Sequence, residues 1–136
     1  MQIELTEKEF RRLLDMAYIG NWILNSTRGT DRFEDYDKVE SRLFSYCKDH
    51  GMASLTETWN GQPVPSRAFA EGGIHEAIMD YEDAVFFDIL AEELARRDMD
   101  SAPSSNQNYD ELIERMEEYM EEFERNGTDR LQVEDL

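Results

Sequence analysis

The sequence predicts an α-dominant fold of about four main helices in a compact bundle, with a small β-hairpin between the second and third. Three observations carry this. Apolar residues recur at three- and four-residue spacing through four separate stretches, the period of an amphipathic helix. Capping patterns mark helix starts at Thr6-Glu7-Lys8-Glu9 and at Asn108 with Glu111. Asn60-Gly61 lies between two short segments that read as extended, which is a strong signal for a tight turn.

The first helix is expected over 6–25. Phe10, Leu13, Leu14, Ala17 and Leu24 follow helical spacing, and the stretch from Ala17 to Leu24 is apolar nearly all round. Such a helix is expected to be buried on more than one side. Ser26 to Gly29 reads as a loop. Thr30 or Asp31 can cap a second helix over 31–49, with Phe33, Tyr36, Val39, Leu43, Tyr46 and Cys47 on its stripe. His50-Gly51 is its stop, glycine supplying the left-handed backbone. Leu55–Trp59 and Gln62–Pro65 flank the Asn60-Gly61 turn, and the prolines confine the return strand to an edge. Ser66 can cap a short turn through Ala70, which Gly72-Gly73 interrupts.

A third helix is expected over 74–97, with its turn at Ala84–Phe87 deeply buried, and a fourth over 108–125, stopped by Asn126-Gly127. Between them, 101–108 is uncharged, polar and proline-bearing, the composition of a mobile loop. Residues 128–136 form a C-terminal tail, whose Leu131 and Val133 are offered to the core. No repeat or shift in composition divides the chain, so a single helical domain over 1–136 is expected. The expected core is Leu13, Leu14, Ala17, Trp22, Leu24, Val39, Leu43, Ile78, Phe86, Ile89, Leu90, Leu112, Met116 and Met120.

The net charge of −18 is unevenly spread. Residues 1–50 carry ten acids and eight bases, whereas residues 71–100 carry ten acids and two bases, and 109–136 eleven acids and three bases. A chain this negative repels nucleic acid and anionic membranes, so direct binding to either is not expected. Cys47 is the only cysteine, which excludes an internal disulfide and favours the cytoplasm. No apolar run approaches the roughly 20 residues of a membrane span, and Met1 to Leu5 lack the features of a signal peptide. A cytoplasmic monomer or homodimer is expected.

The phrase Tyr18-Ile19-Gly20-Asn21-Trp22-Ile23, with the acidic segments Tyr81-Glu82-Asp83 and Glu117-Glu118-Tyr119, resembles small acidic bacterial proteins of an uncharacterised family. The resemblance implies a bacterial origin. It carries no activity and no site residue.

Few constellations offer chemistry. His75-Glu76-Ala77-Ile78-Met79 is not the H-E-x-x-H of a zinc protease, because Met79 stands where the second histidine belongs. Neither His50 nor His75 completes a Glu-x-x-His pair. No cofactor motif, catalytic set or metal spacing is present, so no catalytic, cofactor or metal residue is assigned. His50 reads as a favourable charge at a helix end, and Cys47 as a core residue. Carboxylate clusters such as Glu117, Glu118, Glu121 and Glu122 read as solvated helix faces.

Asn21 stands alone as a polar residue in the most apolar turn. It is expected either to tie the helix to a loop such as 52–66 or to line a pocket. The composition favours a non-catalytic acidic interaction protein that binds a basic partner protein through its C-terminal half. One alternative is an enzyme or metal-binding protein using His75, Asp80, Glu82 and Asp83. The other is an inhibitor that mimics nucleic acid with rows of carboxylates.

Overall fold

The computed structural model describes residues 1–100 and 109–135. The chain is 69% helical, with one small hairpin, so the expected fold class holds. Contacts divide it into two compact units, Met1–Ile78 and Met79–Leu136.

The first unit opens with α1 (Glu7–Asn25), α2 (Glu34–Phe44), β1 (Thr56–Trp59) and β2 (Gln62–Pro65). A single turn, α3 (Arg67–Phe69), follows, and then α4 (His75–Asp100) begins. The capping box of α1 forms as its sequence dictates: the Thr6 amide donates to Glu9 Oε2 at 2.8 Å, and the Glu9 amide donates to Thr6 Oγ1 at 3.2 Å. The strands pair antiparallel with Trp59 opposite Gln62. Asn60 (φ 49°) and Gly61 (φ 76°) both take the left-handed backbone that a two-residue hairpin turn requires. Ser66 caps α3 by accepting from the Phe69 amide at 3.1 Å, and its hydroxyl donates to the Ser54 carbonyl at 2.6 Å. The kink before α4 falls at Gly73, whose φ of 107° disfavours any residue with a side chain.

The second helix differs from expectation. It spans Glu34–Phe44 rather than 31–49, and the chain then makes a separate 3₁₀ turn at Lys48–His50 before Gly51. Neither Thr30 nor Asp31 caps it. Asp31 instead accepts from the Gly29 amide at 3.1 Å, closing the preceding loop. Phe33 stands at the N-cap without any side-chain cap.

The core of the first unit is Leu14, Phe44, Cys47, Phe69 and Ile74, ringed by Phe10, Tyr18, Leu43 and Leu55 among others. The Phe44 and Phe69 rings meet edge-to-face at 5.0 Å. α2 packs on both α1 and β2.

The second unit is built from the rest of α4 and from α5 (Tyr109–Asn126). These helices run antiparallel: Phe87 meets Phe123 at 5.2 Å near one end, while Met99 and Ala95 cluster with Leu112 near the other. Ala91 and Ala95 are fully buried, and Ala95 packs with Met99 and Leu112. Leu131 and Val133 of the C-terminal tail are exposed rather than docked. The loop expected at 101–108 lies outside the described residues.

Four expected core residues are exposed: Trp22, Val39, Phe86 and Ile89. The apolar stretches of α1 and α4 therefore bury one side only. The sequence could not choose that side, because large apolar residues occur all round both segments. No helix among the described residues is long and apolar enough to cross a membrane.

Candidate functional site

Two regions stand out, one in each unit. In the second, carboxylates dominate the surface. This unit holds nineteen acids and five arginines. Each arginine bonds to an acid of the same unit: Arg96 to Glu92, Arg97 to Asp98, Arg115 to Glu111, Arg125 to Glu121 and Arg130 to Glu122. Glu114, Glu117, Glu118, Glu121 and Glu124 are all exposed along α5. Most of the negative charge is thus left facing solvent.

Asp98 of this unit is half-buried. It accepts a hydrogen bond from the Tyr119 hydroxyl. That bond, with the Arg97 guanidinium, holds the Asp98 carboxyl below its ordinary range, while burial and the same bond push the Tyr119 phenol up. Asp98 and Tyr119 share a cleft of about 350 Å³ with Arg115 and Arg130.

The second region lies in the first unit, where α1, the loop after it and α2 converge. Asn21 is buried, and it donates to Asp37 Oδ1 at 3.0 Å. Arg32 grips the same carboxylate from outside, at 2.9 and 2.8 Å. The Arg32 hydrogen bonds and the Asn21 amide together hold Asp37 below the usual carboxylate range. Its neighbour Glu40, one turn along, receives no hydrogen bond from Arg32, whose Nε and Nη2 both donate to Asp37. Burial pushes Glu40 up to about 7, and the Asp37 charge adds to the rise, while the Asn21 amide and Arg32 offset part of it.

Glu40 and Arg32 line two adjoining hollows. The smaller, about 190 Å³, is bounded by Tyr18, Asn21, Trp22 and Ser26. The larger, about 630 Å³, opens toward Trp59, Pro63 and Val64 of the hairpin. Asn21 therefore fills both of its expected roles. It is an internal tie, although to α2 rather than to 52–66, and it lines a pocket. Segment 52–66 contributes to the neighbouring hollow. On the far side of Tyr18, its hydroxyl meets His75 Nε2 at 2.6 Å, and the Trp22 ring stands edge-on to the imidazole at 4.6 Å.

The proposed cluster of His75, Asp80, Glu82 and Asp83 gains no support as a metal centre. Among the described residues, no group of three or more histidine, cysteine or carboxylate side chains is placed to hold a metal ion. His75 is engaged by Tyr18 in the first unit, and Asp80, Glu82 and Asp83 are exposed in the second. Cys47 is fully buried, and burial pushes its thiol up, away from reactivity. His50 is exposed, and its ring lies tilted against Phe10 at 5.7 Å, so Cys47 and His50 do not form an activated pair.

Sequence reading missed Glu40 altogether. The only available signal was its place three residues after Asp37 on a helix whose stripe is otherwise apolar. Compared with known proteins, the chain matches no family model, no curated protein and no solved structure.

Proposed function

We propose that this chain is a non-catalytic acidic interaction protein that binds a basic partner protein through its C-terminal half. The observation that carries the reading is the pairing in the second unit. Its five arginines are all engaged by acids of the same unit, so they leave no free cations to set against the remaining carboxylates. A negative surface of this kind speeds encounter with a positive one and weakens with salt.

The test is capture from a bacterial lysate on the immobilised full chain at low and moderate salt. A variant carrying Glu117→Lys, Glu118→Lys and Glu121→Lys runs alongside. The expected result is a small set of basic proteins held by the native chain at low salt, released by salt and absent from the variant. Retention of basic proteins in general without preference, or equal retention by the variant, would overturn the reading. Selective recovery of nucleic-acid-binding proteins would direct it toward nucleic-acid mimicry.

A further inference from the structure

α4 buries Ala95 and Met99 against Leu112 of α5 and turns several large apolar residues outward. Met79 is 53% exposed, Phe86 49% and Ile89 58%. Met79 and Phe86 are seven residues apart and Ile89 three further on, so the three share one face of the helix. At about 100° per residue, Ala95 lies half a turn round from Phe86, so this stripe points away from α5. The face spans roughly 15 Å, or three helical turns, and Glu82 and Asp83 occupy the turn between Met79 and Phe86. Glu82, Asp83 and Glu93 lie along and beside it, all exposed. Among the described residues, neither Glu82 nor Asp83 makes a hydrogen bond or an ion pair.

We infer that this stripe is the seat of a basic amphipathic helix supplied by the partner protein. The inference rests on the acidic-surface reading above and specifies how the partner is held. Three half-exposed apolar side chains on one helix face invite cover, and the carboxylates among them select the cover. A second copy would bring one strongly negative unit against another, and an anionic membrane would be repelled in the same way. A helix with apolar residues at i, i+3 or i+4 and i+7 fits Met79, Phe86 and Ile89, and its flanking lysines or arginines meet Glu82, Asp83 and Glu93. The apolar contact provides affinity that salt does not remove. The carboxylates choose a basic helix over an acidic one.

The test uses the full chain and two fluorescently labelled peptides of about 18 residues, or five turns. One places leucines at helical spacing among lysines, and the other has the same composition scrambled. Anisotropy titrations should show the patterned peptide binding at least about tenfold tighter. That advantage should vanish in Phe86→Ser and, separately, in Ile89→Ser, each replacing an exposed side chain and each checked for native helix content. The variants should keep the weak, salt-sensitive binding of the scrambled peptide.

Equal binding of the two peptides, or an advantage that survives both substitutions, would overturn the helix seat while leaving the acidic surface standing. Absence of binding by either peptide at low salt would overturn both. A dimer in sedimentation equilibrium that Phe86→Ser dissociates would assign the stripe to a second copy, and would overturn the inference in that way.

Discussion

The Asn25 side chain clasps both backbone groups of Phe33, donating from Nδ2 to the carbonyl at 3.1 Å and accepting at Oδ1 from the amide at 2.8 Å. The same Nδ2 reaches Asn21 Oδ1 at 2.7 Å. A buried amide at the end of α1 thus does for the start of α2 what a capping side chain does elsewhere. Asn25→Ala should cost about 2–3 kcal/mol, because it leaves several groups short of partners where water has little access. Urea denaturation checks this. An unchanged midpoint would mean that solvent reaches Phe33 freely.

Phe86 stood among the expected core residues, but the structure places it half in solvent. Phe86→Ala should therefore cost well under the roughly 3–5 kcal/mol of a fully buried phenylalanine. Phe44→Ala should incur that full cost, since Phe44 is completely buried against Phe69. Melting of the two variants side by side decides the matter, and equal losses would contradict the burial of Phe44 relative to Phe86.

Glu40 should give stability an alkaline decline. Its folded value, about 7, stands above the ordinary 4.5. Its contribution is thus fully present below about pH 4.5 and is lost as the pH rises through about 7. Glu40→Gln supplies a neutral side chain of similar shape. The variant should match the native chain near pH 4 and exceed it near pH 8 by about 1–3 kcal/mol, toward the lower end because the group is partly open to solvent. The difference between the two at each pH isolates Glu40 from Asp37 and Asp98, whose lowered values act in the opposite sense. A constant difference across that range would refute the assignment.

Moderate sodium chloride should raise the melting temperature. The second unit keeps its arginines paired within itself and still carries fourteen more acids than bases. Exposed pairs contribute under about 1 kcal/mol each. Repulsion among the remaining carboxylates weakens as the Debye length falls to about 8 Å. A falling midpoint would show that net attraction prevails, and would remove the support for a basic partner.

The legible parts of the fold were those specified by neighbours in sequence. Thr6 and Glu9 are three apart, Asn60 and Gly61 are adjacent, and Ser66 caps the residue three ahead. The α2 start was misplaced because its anchor, Asn25, sits on another helix, eight residues before Phe33. Trp22, Val39, Phe86 and Ile89 were misassigned because hydrophobicity marks what can be buried, not which side has a neighbour. Ala91 and Ala95, fully buried, went unnoticed because alanine is common on both buried and exposed helix faces and marks neither. Glu40 was invisible because its shift depends on Asn21, Asp37 and the burial around them, which only folding brings together.

Cys47 is the only thiol in the chain, and it sits fully enclosed in the first unit. Both tryptophans, Trp22 and Trp59, belong to that unit as well. Alkylation of Cys47 is therefore a clock for one half of the molecule: an alkylating reagent can reach the sulfur only when Leu14, Phe44 and Phe69 part. Indole emission watches the same half, whereas far-ultraviolet dichroism sums every helix in the chain. When the clock and the dichroism keep different time, the two halves open separately, and the native sequence already carries the labels needed to see it.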